Sequence, residues 1–148
     1  MAEEDKKIVT NLTKLKDKEK TEPIASFLDM KLLKLKTGYA KVSLKLKPEY
    51  LNFNGFVFNG IIMALADQAL SYAANSTSYP SLDSQFNIHF IAAAAADDEL
   101  TAECRVIRSG KRIGISEISV TNQDAKPIAR ATGTSVPVRS TPRASWMV

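Results

Sequence analysis

A single carboxylate interrupts the most apolar stretch of the chain. In NGIIMALADQALSYAAN (residues 59–75), Asp67 is the only charged residue. An unpaired carboxylate in apolar surroundings is costly unless it protonates, pairs, or faces a water-filled pocket. Perturbed acids concentrate at functional sites, but structural ion pairs perturb them too. Asp67 is therefore either a catalytic acid-base group or a structural group that pairs with an arginine or caps an element across an interface.

The loop before this stretch is rich in hydrogen-bond donors. NFNGFVFNG places Asn52, Gly55, Asn59 and Gly60 just ahead of a predicted helix. The unpaired N–H groups at a helix N-terminus can polarise a carbonyl or hold an oxyanion. Asp67 lies about 10 Å along the helix axis from these donors, too far to share one atom with them. Two facing subunits could each supply half of a site, which predicts a homodimer or a dimer of dimers.

The motifs of several other enzyme classes are missing from the sequence. The sequence has no Gly-x-Ser-x-Gly elbow, P-loop, Gly-x-Gly-x-x-Gly or Cys-x-x-Cys motif, and it has one histidine, His89. We therefore predict no metal site and no bound cofactor. A single cysteine, Cys104, excludes an internal disulfide and fits a reducing, cytoplasmic compartment. The net charge of +4 suits an anionic small ligand, and no nucleic-acid module or membrane span is predicted.

The chain divides into three parts that would position these groups. Residues 1–22 predict an amphipathic helical extension, with Ile8, Leu12 and Leu15 on one face and Pro23 ending it. That face could dock on the domain, which we favour because it is small, or lie on an anionic membrane surface. Residues 23–138 form the main domain. Residues 139–148 predict a flexible basic tail.

Alternation of apolar and polar residues predicts an antiparallel sheet around one apolar helix. The helix is expected over residues 61–74, with a bulge near Glu117 where the alternation slips. A helix that is apolar on nearly every side must be buried, and a curled sheet could bury it. So small a sheet has open edges and leaves the helix incompletely covered, and both features favour edge-to-edge dimerisation. The predicted strands are MKLLKLK, YAKVSLKLK, SQFNIHF, ELTAECRVIRSG, RIGISEISVTN and KPIARATGTSV.

Residues 23–138 resemble the hot-dog-fold acyl-CoA thioesterases, especially the phenylacetate-pathway type. The resemblance rests on the pattern N-x-x-G-x-x-[H]-[G]-G-x6-D and on features of the second half, including the GK hairpin and the final A-x-G-T strand. The resemblance implies an α+β class in which an antiparallel sheet wraps a long central helix, with the site at a subunit interface. The pattern falls on Asn52, Gly55, Phe58, Asn59, Gly60 and Asp67.

The resemblance also implies roles for these residues. Asp67 would be the general base or nucleophile that acts on an acyl-CoA thioester. The N–H group of Asn59, with Gly60, would polarise the carbonyl, and Asn52 would position the thioester. Asp83 falls where relatives often carry a small polar residue near the attacking water.

The substrate-binding residues are expected in two places. The segment Gly110, Lys111, Arg112 and Ile113 would meet the CoA end of the substrate, although it could equally be a solvated hairpin tip. Near the thioester, Gly55, Phe58 and Met63 would line an acyl pocket together with Phe53, Phe56 and Tyr72. Such a pocket favours apolar or aromatic acyl groups, although loop phenylalanines more often anchor a loop to the core.

Three departures from the family pattern leave alternatives open. Phe58 replaces the usual histidine, Asn59 replaces a glycine, and Ala92–Ala96 replace a common Arg-Pro. Asn59 keeps its N–H donor provided that its φ angle is not positive. The alternative to a thioesterase is a non-catalytic acyl-CoA-binding protein of the same fold, which Phe58 favours and Asp67 disfavours. A dehydratase is a distant third.

Overall fold

The computed structural model describes residues 2–138, and the predicted basic tail at 139–148 lies outside them. Residues 2–138 form three helices and six strands. The helices are α1 (Glu3–Glu19), α2 (Pro23–Leu28) and α3 (Asn59–Thr77), with a short 3-10 turn at Pro48–Tyr50. The strands are β1 (Met30–Lys36), β2 (Tyr39–Lys45), β3 (Ser81–Phe90), β4 (Glu99–Ser109), β5 (Gly114–Thr121) and β6 (Pro127–Pro137).

The six strands form one antiparallel sheet in the order β1-β2-β4-β5-β6-β3. Apolar residues alternate along the strands and face α3. In β2 and β4, for example, Ala40, Val42, Leu100 and Ala102 are at most 1% exposed. The polar residues between them turn to the other face of the sheet, as the period of two requires. The predicted α+β fold, a sheet curved around a long central helix, is confirmed.

Most of helix α3 is buried. Leu65, Ala66, Ala69 and Leu70 are fully buried against the sheet. Helix α1 also packs against α3. A narrow strip of α3 remains exposed, and its side chains are Asn59, Met63 and Asp67. The apolar helix is therefore buried but incompletely covered in the single chain, as predicted.

Helix α1 docks on α3 and β1 through its apolar face. Leu15 is buried and Ile8 and Leu12 are half-buried, as the spacing predicted. Pro23 does not end this helix, which stops at Glu19. Instead Pro23 opens the short helix α2, where a missing N–H group has no cost. The division of the chain at residue 22 stays a prediction.

The predicted bulge is displaced from Glu117. Glu117 pairs regularly with Arg105, and the register shift lies on β4 between Val106 and Arg108. The slip in the pattern arose because Ser116, a polar residue, occupies a core-facing position and is 1% exposed. Within residues 2–138, no helix is long and apolar enough to cross a membrane.

Candidate active site

The N-terminus of α3 is open. Phe58 occupies the N-cap position and makes no side-chain cap, and its carbonyl accepts from the N–H of Ile61 at 3.0 Å. The N–H groups of Asn59 and Gly60 have no acceptor within residues 2–138. Asn59 is not among the residues with positive φ, so the condition for keeping its donor is met. Two N–H groups and the positive end of the helix dipole therefore remain available to a ligand.

Phe58 and Gly60 fit together at this helix end. A Cβ atom on Gly60 would come 2.4 Å from Cε1 of the Phe58 ring. No real Cβ atom approaches an aromatic carbon so closely, so glycine at position 60 lets the ring lie against the first turn. Phe58 is nevertheless 56% exposed, which leaves it free to contact a ligand.

Asn52 and Gly55 shape the loop before the helix. The Oδ1 atom of Asn52 accepts hydrogen bonds from the N–H groups of Asn54, at 2.9 Å, and Phe56, at 3.2 Å. Gly55 has a φ of +78°, a region that glycine adopts without strain. The side-chain oxygen of Asn52 is thus used by the loop itself, and its amide nitrogen is the group left for a ligand.

A groove of about 470 Å³ runs beside this loop. It brings the predicted residues Asn52, Phe58 and Asn59 together with the segment that follows β3. Sequence reasoning noted that segment only as a departure from the family pattern. The lining residues are Asn52, Phe56–Asn59, Ile62 and Phe90–Ala94.

The carboxylates lie farther along α3. Met63, Asp67 and Ser71 follow one another at four-residue spacing along α3. Met63 and Asp67 are exposed, whereas Ser71 is half-buried beside β3. The Ser71 hydroxyl donates to Oδ2 of Asp83 at 2.7 Å. The other oxygen, Oδ1 of Asp83, is buried and has no partner within residues 2–138. Ser71 was not predicted as a site residue from the sequence. Its position one helical turn after Asp67 was the signal that could have identified it.

The pKa values of both carboxylates, Asp67 and Asp83, are raised. Burial raises the pKa of Asp67 above its usual 3.8, because neighbouring groups remove part of its hydration although the side chain stays open to solvent. Burial also raises the pKa of Asp83, and the nearby charge of Asp67 raises it further, while the Ser71 hydroxyl opposes both. A carboxylate with a raised pKa is a better proton acceptor, provided that it is ionised.

The hairpin between β4 and β5 reaches the same end of the sheet as Asp83. Gly114 pairs with Ser135, and Ser135 pairs with Asp83 on the next strand. Two strand spacings amount to about 10 Å. Just before Gly114, Lys111 and Arg112 are exposed. Gly110 closes the tip by donating its N–H to the Ile113 carbonyl at 3.0 Å.

The predicted site residues therefore form two groups in a single chain. The donor group comprises Asn52, Phe58, Asn59 and Gly60 at the start of α3. The acid group comprises Asp67, Ser71 and Asp83, with the hairpin tip at its end of the sheet. Asp67 lies seven positions after Gly60, about 10 Å along the axis, so one chain does not join the two groups at one atom.

Metal-binding side chains do not cluster in the described part of the chain. Residues 2–138 contain no group of three or more His, Cys, Asp or Glu side chains that could hold an ion. Asp98, another buried carboxylate, accepts from Gln123 at 2.8 Å and from the Ala95 N–H at 2.9 Å. These bonds, led by that of Gln123, lower its pKa and show a structural role.

Comparison with known proteins places this arrangement in a family. The model of the thioesterase superfamily matches residues 54–129, more than half of the chain. The acyl-coenzyme A thioesterase PaaI of Escherichia coli is 32% identical over 111 residues, which cover 75% of this chain and 79% of that protein. The chain belongs to the thioesterase superfamily and is a thioester hydrolase.

Solved structures agree on the fold. The structure of the E. coli PaaI protein from the phenylacetic acid degradation operon superposes with a TM-score of 0.83 at 27% identity, covering 88% of this chain and 95% of that one. The TT0310 protein of Thermus thermophilus gives a TM-score of 0.76 at 25% identity, covering 79% of this chain and 98% of that one.

Proposed function

We propose that this protein hydrolyses acyl-CoA thioesters and that Asp67 is the general base. The observation that carries the proposal is an ionisable side chain open to solvent on α3, with a pKa raised by its surroundings, in a chain that belongs to the thioesterase superfamily. Asp67 takes a proton from water as the water oxygen bonds to the thioester carbon. The C–S bond then breaks, and the proton passes from Asp67 to the CoA sulfur.

The developing oxyanion needs donors, and the N–H groups of Asn59 and Gly60 are free to serve. Because one chain keeps these donors about 10 Å from Asp67, we place them in the second subunit of a homodimer. Each of two sites then combines the donor group of one subunit with the acid group of the other. The Asn52 amide nitrogen, at the same groove, orients the thioester.

Asp83 positions the attacking water in this proposal. Its Oδ1 atom is buried without a partner among the described residues, and a buried acceptor of that kind is stabilised by a donor such as water. Ser71 fixes the other oxygen, so the free one has a defined direction. The alternative, in which Asp67 attacks the thioester itself, is kept open by the same exposure of Asp67.

The CoA end of the substrate is assigned to the hairpin tip. Lys111 and Arg112 are exposed cations at the end of the sheet that carries Asp83. Cations in such a position bind phosphate oxygens through charge-assisted hydrogen bonds. We expect Gly110 and Ile113 to shape the tip rather than to bind phosphate, because their backbone groups bond to each other.

The acyl group is proposed to be apolar or aromatic. Near the donor group, Phe56, Phe58 and Ile62 line the groove of about 470 Å³, and Met63 is exposed one turn before Asp67. Burial of each methylene of the substrate contributes about 0.8 kcal/mol on such surfaces. Short or charged acyl groups gain nothing comparable there.

The test is a hydrolysis screen over acyl-CoA chain lengths and aryl-CoAs, with release of the CoA thiol as the readout. Asp67→Asn removes the base without changing size, and we expect turnover to fall by at least about 100-fold with the fold intact. Asp124→Asn, the same change at an exposed turn, is the matched control. An Asp67→Asn variant that hydrolyses at the wild-type rate contradicts the assignment. A collapse of its melting temperature would instead support a structural role.

A further inference from the structure

A second groove lies between α1 and α3, one helical turn beyond Asp67. Its volume is about 240 Å³. Its walls are Leu15 of α1 and the rings of Tyr72 and Tyr79, and Ser71 and Asn75 of α3 also line it. Leu15 and Tyr72 are each less than 10% exposed, so these walls belong to the packed part of the molecule.

Hydrogen bonds from α3 to Glu22 hold the walls of the groove in place. Oε2 of Glu22, the residue before α2, accepts from the Tyr72 hydroxyl at 2.6 Å and from Nε2 of Gln68 at 2.8 Å. The Lys14 ammonium lies 4.7 Å from the centre of the Tyr79 ring, within the range of a cation–π contact. These contacts fasten the end of α1 to α3 from two sides. A cavity that exists before the ligand arrives costs little to fill.

The volume fits part of a substrate. Pockets for whole drug-sized ligands measure about 300–1,000 Å³, so 240 Å³ is too small for a complete acyl-CoA. A dry cavity of about 150 Å³ lined by apolar side chains holds benzene. The groove therefore has room for an aromatic ring or a medium-length alkyl chain.

The groove and the acid group share one residue, Ser71. Ser71 lines the groove and also donates to Asp83. Asp67 lies four residues before Ser71 on the same side of α3, about 6 Å along the axis. An acyl chain whose carbonyl is at Asp67 can therefore extend along α3 into the groove.

We propose that this groove receives the distal end of the acyl group, so that α1 sets which acyl chains the enzyme accepts. This inference rests on the proposed acyl-CoA thioesterase function. The ligand class is an aryl or medium-chain alkyl group without charge, because the apolar walls are one aliphatic side chain and two tyrosine rings. Glu22 also lines the groove, but its Oε2 is already bonded to Tyr72 and Gln68. Leu15 closes the far side and limits the length, and Lys18 stands at the mouth.

Two variants change the groove in opposite directions. Lys18→Trp places an indole at the mouth, and Leu15→Ala enlarges the far wall. Lys16→Trp is the matched control, because Lys16 is also an exposed cation of α1 but faces a different surface, beside Leu32–Leu35. The probes are the non-hydrolysable thioether S-octyl-CoA and free CoA, whose dissociation constants are measured by calorimetry. Hydrolysis of octanoyl-CoA and acetyl-CoA is measured alongside.

We expect wild type and Lys16→Trp to bind S-octyl-CoA at least 10-fold more tightly than CoA. Lys18→Trp should lose most of that preference and should hydrolyse octanoyl-CoA at least 10-fold less efficiently, with acetyl-CoA unchanged. Leu15→Ala should move the preferred chain to longer acyl groups, by about fourfold in kcat/KM for each added methylene that is buried. If Lys18→Trp prefers S-octyl-CoA over CoA as strongly as wild type does, the inference is overturned. If wild type neither binds CoA nor hydrolyses any acyl-CoA, the proposed function itself is wrong.

Discussion

Phe58 is the residue at which this chain departs most clearly from its family pattern. Its side chain makes no cap hydrogen bond at the start of α3 and is more than half exposed beside the donor group. In the proposed site, a histidine there would add a polar group next to the thioester carbonyl. The aromatic surface that Phe58 offers to a ligand would become smaller and more polar.

We expect Phe58→His to raise the rate of hydrolysis without greatly changing the preferred chain length. The ring lies over Gly60, and an imidazole occupies less space, so the variant should fold as the wild type does. Steady-state kinetics over several acyl-CoAs, with melting temperature as the control, test this. A variant of wild-type stability that is no faster would mean that the missing histidine does not limit catalysis.

Asp83 gives a prediction about stability and pH. The pKa of Asp83 is raised in the folded chain, chiefly by burial and then by Asp67. The unfolded chain therefore ionises first, and the fold loses stability as pH rises from below 3.8 through the raised pKa. We expect Asp83→Asn to melt at a higher temperature than wild type at pH 7. The difference should shrink below pH 3.8.

Thermal melts between about pH 3 and pH 7, on either side of the ordinary carboxyl pKa, test this sign directly. Asp124→Asn, at an exposed turn, is the control and should follow wild type at every pH. A destabilised Asp83→Asn at neutral pH would show that the ionised carboxylate is needed by the fold, for example through its bond with Ser71.

At the scale of elements, the contact between β6 and α3 is tight at one position. A Cβ atom on Gly133 would come 2.3 Å from Cδ2 of Leu70, which is fully buried. We expect Gly133→Ala to cost about 1–3 kcal/mol in the free energy of unfolding, the usual range for overpacking a core. Thr132→Ala, on the exposed face of the same strand, is the control. Denaturant unfolding measures both, and equal stabilities would mean that α3 can move away from the sheet.

Most helices and strands could be predicted from sequence because the spacing of their apolar residues and their residue types indicate the same secondary structure. β2 and β4 alternate cleanly, and the apolar run that became α3 has helical length. The errors arose where one residue type had two explanations. Ser116 is polar yet faces the core, so the bulge was placed too near Glu117. Proline ends a helix but is also accepted in the first turn of one, so Pro23 was taken as the end of α1 although it opens α2.

The sequence predicted individual parts of the candidate site but not the contacts that join them. Motif spacing identified Asp67 and the loop before α3, because both lie close together in sequence. The bond between Ser71 and Asp83 joins a helix to a strand, and no local pattern records it. The groove between α1 and α3 depends on Glu22 reaching Tyr72 across 50 residues of sequence. Long-range contacts of this kind need the folded chain.

At the scale of the whole molecule, the distance between donor group and acid group predicts complementation between subunits. Asn59→Pro removes one N–H donor at a helix position that accepts proline, and Asp67→Asn removes the base. Each variant alone should be nearly inactive. In a mixture whose subunits have exchanged at random, half of the dimers combine one subunit of each type, and one of their two sites is intact. We expect about a quarter of wild-type activity.

Co-expression or joint refolding of the two variants, followed by light scattering, is the measurement. Separately purified variants that are mixed without subunit exchange are the control and should stay inactive. An active monomer at working concentration, or an exchanged mixture with no recovered activity, would contradict a shared site.

The two edges of the sheet are unequal, and this inequality bears on how far assembly can proceed. β1, at one edge, carries Lys31, Lys34 and Lys36. β3, at the other, has ten residues and no lysine or arginine. Each of the two strands contains one register shift, so charge is what distinguishes the two edges. Lysines discourage an edge from pairing with another chain. We therefore expect two copies of this chain to pair through β3. Such a pair would present only lysine-bearing β1 edges to the solution, which would prevent further growth into fibres.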